Sequence, residues 1–201
     1  MGGIIKTFLK YLAFAISAIL SPYLVALVFI VIIVYHYSNS FHEFFPWMVT
    51  FFVSAILVPG LYVLWLLESK KIKDIHIANP KDRKIPFVLA GVSAIIGTII
   101  LGVLDASRQV FLISVIYAVN TILIALVTLT WKISVHMIIL SLVSTISVVL
   151  FGWQFLWLYL LLIPLGWSRI YRKRHTFWQV LAGGVSAAVL TIIIFWAFGY
   201  L

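Results

Sequence analysis

Residues 153–179 read WQFLWLYLLLIPLGWSRIYRKRHTFWQ: an apolar run from Trp153 to Trp167, a basic island, and the start of a second apolar run that continues to residue 199. Arg169, Arg172, Lys173, Arg174 and His175 stand between hydrocarbon on both sides, in a chain that is only 9% charged. Long apolar runs joined by a short charged seam are the pattern of helices that cross a bilayer and turn at its surface. That reading decides the fold.

The same alternation runs through the rest of the chain. Its 201 residues are 65% hydrophobic and 16% aromatic, with a mean hydropathy of +1.22, values that a water-soluble domain with a polar exterior could not sustain. The chain is therefore expected to be an integral membrane protein. A span needs about 20 apolar residues, so this length accommodates six to seven transmembrane helices with short loops. Apolar segments fall at 22–37, 44–67, 86–104, 110–131, 133–151, 153–167 and 177–199. Open strand edges are not tolerated in lipid, so the expected fold class is all-α, one polytopic bundle. Residues 1–21 are read as an N-terminal interfacial or membrane-entry segment and 22–201 as a single membrane domain. The run 153–167 would cover about 22 Å as an α-helix against a hydrocarbon core of roughly 30 Å, so shielding by neighbours or a thinned bilayer is expected there. Small residues cluster at Ala90, Gly91, Ser93, Ala94 and Gly97, and at Ala182, Gly183, Gly184, Ser186, Ala187 and Ala188, which predicts close helix packing.

Charge sets orientation and partners. The formal net charge of +9 resides at the ends of apolar segments, where anionic lipid head groups are the natural partners and nucleic acid is not expected. Alternating across seven segments places residues 1–21, 68–85, Lys132 and 168–176 on one side. Of the 14 Lys and Arg, Arg108 alone falls on the other. An excess of that kind marks the cationic side as cytoplasmic, in a multi-pass protein of the cell membrane. The chain has no cysteine and five acidic residues, Glu43, Glu68, Asp74, Asp82 and Asp105, too few in convergence for a carboxylate-bound metal or a paired-carboxylate hydrolase. No metal site and no cofactor are expected, and His36, His42 and His76 read as surface residues at segment ends and loops.

Three polar islands reach the same membrane face: SKKIKDIHIANPKDRKIP (69–86), WKISVH (131–136) and WSRIYRKRH (167–175). A Lys or His at the seam of two spans is expensive in hydrocarbon and asks for an interface or a purpose. Ser168-Arg169, five residues, His175, then three residues to Gln179 resembles the third motif of the type-2 phosphatidic acid phosphatase superfamily, S-R-x5-H-x3-D. Ile133-Ser134-Val135-His136 is similar to a degenerate second motif, P-S-G-H, and Asp82–Pro86 is a faint counterpart of the first, K-x6-R-P. The resemblance covers residues 80–185.

It implies a metal-independent phosphohydrolase acting on a lipid phosphate or diphosphate, of phosphatidate, phosphatidylglycerophosphate or polyprenyl diphosphate type. By position, His175 is the nucleophile that forms a phosphohistidine and His136 the general acid for the leaving oxygen. Arg169, with Arg83 or Lys84, would clamp the nonbridging oxygens, since guanidinium forks match phosphate geometry. Ser168 and Ser134 would add donors, and Lys132 is an extra cation at the mouth. Arg172, Lys173 and Arg174 read as an anchor for head groups. Gln179 departs from the motif, because the family's acid there orients the nucleophilic histidine and stabilises developing imidazolium charge. A glutamine carbonyl can orient the ring but adds no charge, so a catalytically inactive member that binds or transports an anionic lipid is the alternative expectation.

Overall fold

Where the sequence alternates apolar run and polar seam, the chain alternates helix and turn. The computed structural model describes residues 2–72 and 80–201, with backbone alone at 2, 3 and 80–84. Among these residues the structure is all-helical and has no strand. In chain order the helices are α1 (Gly2–Ile19), α2 (Pro22–Tyr37), α3 (Phe41–Phe51), α4 (Val58–Glu68), α5 (Pro80–Val103), α6 (Arg108–Thr128), α7 (Val135–Phe151), α8 (Leu162–Tyr171) and α9 (Phe177–Ala197). A π-helical turn, Phe52–Leu57, joins α3 to α4, and a 3-10 helix, Trp153–Leu161, leads into α8. Among the described residues, five stretches are long and apolar enough to cross a membrane: Ile4–Tyr37, Phe41–Glu68, Ile85–Val103, Arg108–Thr128 and Phe177–Ala197. The α7 helix is apolar but shorter.

Conformation lengthens the short segment at 153. A 3-10 helix rises about 2.0 Å per residue, so Trp153–Leu161 covers about 18 Å, and α8 adds about 15 Å at 1.5 Å per residue. Over residues 153–167 alone the observed conformations give about 27 Å, against about 22 Å for an α-helix of the same residues. Neighbours shield this segment in part: no residue of the 3-10 helix is fully buried, but Leu161 packs on the core of α7, α8 and α9, and Leu165 and Gly166 are buried. Gly152, at φ +100°, ends α7 and turns the chain into it, a backbone state that disfavours any side chain.

Two compact units make up the chain, residues 1–26 with 133–201, and residues 27–132. In the first, α7 is buried almost all round, as expected of a helix whose faces are all apolar or small. Met137 and Leu140 of α7 form a core with Leu165 of α8 and Val180 of α9. Gly183 lets α9 approach closely: a Cβ there would lie 2.9 Å from the Ser134 carbonyl oxygen and 3.3 Å from Met137 Cβ. Ser141 Oγ donates to the Gly184 carbonyl at 2.7 Å, and the Thr145 and Tyr159 hydroxyls pair at 2.7 Å. The α1 helix packs along α8 and buries Ala13 and Ser17.

In the second unit, α5 and α6 pair closely, and Gly97 takes its place against the π-turn, where a Cβ would lie 2.7 Å from Ser54 Cβ. A π-turn leaves carbonyls that the α-helical ladder no longer serves. Side chains serve two of them here: Ser93 Oγ donates to the Ser54 carbonyl at 2.8 Å and the Tyr117 hydroxyl to that of Ala55 at 3.4 Å.

Candidate functional site

The site is built where α7 and α9 begin and α8 ends, all within the unit formed by residues 1–26 and 133–201. Ser134 is the N-cap of α7, yet its side chain makes no capping bond. Its backbone N–H donates instead to the Gln179 carbonyl at 3.3 Å, tying the two helix starts together. His136 follows in the first turn of α7 and is buried. Two helix N-termini side by side supply positive dipole ends, which favour an anion.

The α9 start is a reciprocal cap. Thr176 Oγ1 accepts from the Gln179 N–H at 3.4 Å, and Gln179 Oε1 accepts from the Thr176 N–H at 3.2 Å. Gln179 Oε1 also stands 3.3 Å from His175 Nδ1. A carbonyl oxygen only accepts, so this contact fixes the hydrogen on Nδ1 and puts the ring's lone pair on Nε2. Gln179 thus does two jobs with one oxygen, closing the helix and setting the imidazole tautomer.

On α8, Ser168 is fully buried and Arg169 is only 4% exposed. The Arg169 carbonyl accepts from the N–H groups of Arg174 at 3.0 Å and His175 at 3.3 Å, so the turn carries His175 back beside the arginine through backbone bonds alone. Lys173, at φ 53°, makes that reversal. The Arg169 guanidinium donates from Nη1 to Ser17 Oγ of α1 at 2.7 Å, a buried bond across 152 positions of sequence. Arg172, at the end of α8, lies over the Phe14 ring, 5.1 Å from its centroid. Burial, and then the charge of Arg174, hold its guanidinium below the usual arginine range.

Three buried polar atoms at these helix ends have no hydrogen-bond partner among the described residues: Ser134 Oγ, Ser168 Oγ and Arg169 Nε. Each unpaired buried donor costs about 1–3 kcal/mol, more where it is charged. Nor is there a counter-charge nearby in sequence, because residues 1–26 and 133–201 contain no aspartate or glutamate. The ends of α7, α8 and α9 thus carry a buried guanidinium nitrogen and two buried hydroxyls without partners, two helix starts joined by a backbone bond, and an imidazole held by Gln179. Among the described residues, no three His, Cys, Asp or Glu side chains gather as metal ligands.

Of the residues singled out by the motifs, Ser134, His136, Ser168, Arg169, His175 and Gln179 all belong to this unit. Lys132 is the last residue of the other unit, and the side chains of Arg83 and Lys84 lie outside the described residues. Two contributors lie beyond the motifs. Thr176 was legible, since Thr-x-x-Gln ahead of an apolar run is a capping-box signature. Ser17 carries no local signal beyond its place four residues after Ala13 on a helical stripe of small side chains. No family model, curated protein or solved structure matches the chain.

Proposed function

We propose that the chain is a membrane phosphohydrolase of the type-2 phosphatidic acid phosphatase kind, acting on a lipid phosphate or diphosphate. The observation that carries this reading is the trio of buried, unpartnered donors, Ser134 Oγ, Ser168 Oγ and Arg169 Nε, in a unit without an acidic residue. A tetrahedral phosphoryl oxyanion pairs all three and supplies the missing negative charge.

In the first step His175 Nε2 attacks phosphorus, a P–N bond forms, and the bond to the leaving oxygen breaks as His136 delivers a proton to it. Water then attacks the phosphohistidine, His136 takes the water's proton, and the P–N bond breaks to release phosphate. Arg169, Ser168 and Ser134 hold the nonbridging oxygens, and Gln179 keeps Nδ1 protonated. Purified protein incubated with a panel of lipid phosphates in EDTA is expected to release phosphate, and His175→Ala is expected to abolish that release. No phosphate from any lipid would sink the hydrolase.

A second reading has one observation in its favour. Gln179 spends its oxygen on the helix cap and brings no charge to the imidazolium that forms during attack. On that reading the site binds or moves an anionic lipid without turning it over. Gln179→Asp separates the two: the enzyme holds or gains turnover, whereas the binder retains lipid and still releases nothing.

The membrane arrangement belongs to the same proposal. Adding α7 and the 3-10/α8 pair to the apolar stretches gives six to seven spans. The 13 cations that alternation assigns to one side support a cytoplasmic face for the site. The chain has no native cysteine, so single cysteines at 108 and 173 report orientation directly. Position 108 is expected to react with an impermeant thiol reagent on intact cells, and reaction at 173 instead would reverse the assignment.

A further inference from the structure

The structure assigns α1 a part in the phosphate site: Ser17 is a positioning residue that holds the Arg169 guanidinium so that its Nε edge faces the bound oxyanion. This rests on the reading of Ser134, Ser168 and Arg169 as a phosphate receptor. The guanidinium is a planar fork whose Nε and Nη2 hydrogens lie along one edge, the edge that grips a phosphate or carboxylate side-on. Ser17 Oγ takes Nη1, the nitrogen outside that edge, at 2.7 Å. Nε remains buried and unpartnered. One neutral acceptor thereby fixes the plane of the fork without neutralising it or occupying the face that a ligand needs. An aspartate at 17 would have paired the charge and removed the reason to bind an anion.

Two further contacts keep α1 in register with α8. The Tyr171 hydroxyl donates to the Lys6 carbonyl at 3.5 Å, and Arg172 lies over Phe14. Phe14 and Ser17 are three positions apart and Lys6 is two turns earlier, so α1 meets the last turn of α8 along much of its length. The N-terminal helix is thus part of the binding machinery, and a positioning role follows from geometry that no local motif encodes.

The test is calorimetric titration of orthovanadate, a phosphate mimic, into the purified full chain in lipid nanodiscs. Wild type is expected to bind and Arg169→Ala to lose binding. Ser17→Ala is expected to weaken binding about tenfold, the scale of one hydrogen bond to a charged group. Ser17→Thr keeps the acceptor and should bind like wild type. Ala13→Gly loosens the same buried face of α1 without touching the guanidinium and should also bind like wild type. If Ser17→Ala does not fold, Ser17→Cys, a much weaker acceptor, is measured in its place. Ser17→Ala affinity equal to wild type, or an equal loss in Ala13→Gly, overturns the positioning role and leaves the phosphate site standing. A chain that binds no vanadate, or binds it unchanged in Arg169→Ala, overturns the phosphate reading and this inference with it.

Discussion

Both units spend buried hydroxyls on carbonyls, as Ser144 on Leu140 and Thr145 on Ser141 in residues 133–201, but they differ in the polar atoms left over. In residues 27–132 the buried hydroxyls are spent on carbonyls: Thr50 on Pro46, Ser54 on Thr50, Ser93 on Ser54, Ser114 on Phe111 and Thr121 on Tyr117. Among the described residues there, Asn120 Oδ1 is the unpartnered buried side-chain atom. In residues 1–26 and 133–201 the unpartnered atoms are Ser134 Oγ, Ser168 Oγ, Arg169 Nε and Thr191 Oγ1. Acidic residues divide as sharply, since all five stand between positions 43 and 105. A satisfied hydroxyl in a helix bundle is packing. Unsatisfied donors at helix ends in a unit without an acidic residue are what the proposed receptor rests on, because folding alone gives no return for desolvating them.

The largest effect that tests this contrast is at Arg169. Replacing it with methionine removes a buried charge that has no acid in its unit, so the unliganded protein should melt at the same or a higher temperature. Turnover of a lipid phosphate should meanwhile fall by about 10³-fold or more, as when a preorganised oxyanion donor is lost. Arg108→Met, which removes an exposed cation from the other unit, should leave turnover near wild type. If Arg169→Met unfolds the protein, the guanidinium is structural and the contrast between the units fails.

Much of the helical architecture was legible because hydrocarbon imposes it. An apolar run bounded by charge can only be a helix in lipid, and seams such as 168–176 must lie at the surface. What stayed hidden has no one-dimensional signature. The π-turn at Phe52–Leu57 depends on Ser93 and Tyr117 serving its carbonyls from other helices. The 3-10 conformation of Trp153–Leu161 likewise leaves no period in an almost uniformly apolar run. In the site, the spacing of Ser168, Arg169, His175 and Gln179 could be read directly, since one turn of chain brings them together. Ser17 could not, because it meets Arg169 through helix packing across 152 positions.

Glycines give the next test, of intermediate size. At Gly183 an added methyl meets the Ser134 carbonyl at 2.9 Å, a backbone atom that can move only with the α7 start. Gly183→Ala should cost about 1–3 kcal/mol of stability and also weaken vanadate binding, because Ser134 moves with it. At Gly91 in the other unit the same methyl meets Ile122 Cγ1 at an ordinary 3.7 Å. Gly91→Ala should be neutral or gain up to about 1 kcal/mol through helix propensity, with binding unchanged. Thermal melts with and without vanadate report both quantities. Equal losses at the two positions would mean that the α7–α9 approach has no special bearing on the site.

The smallest effect is the most discriminating, because it sets two unpartnered hydroxyls in the same unit against each other. Ser168 Oγ lies at the end of α8 beside Arg169, whereas Thr191 Oγ1 lies within α9, far along the helix from its capped start. Deleting either hydroxyl relieves a buried polar atom, so Ser168→Ala and Thr191→Val should each raise unliganded stability by about 1 kcal/mol. Their responses to vanadate should then diverge. Thr191→Val should gain as much thermal stabilisation from vanadate as wild type, and Ser168→Ala should gain less, with affinity reduced about five- to tenfold for one lost donor. Should both variants respond alike, an unpartnered hydroxyl in this unit does not distinguish receptor from packing. If only Ser168→Ala loses its response, the cost of burying Ser168 unpaired is recovered when the oxyanion binds, and the hydroxyl belongs to the site.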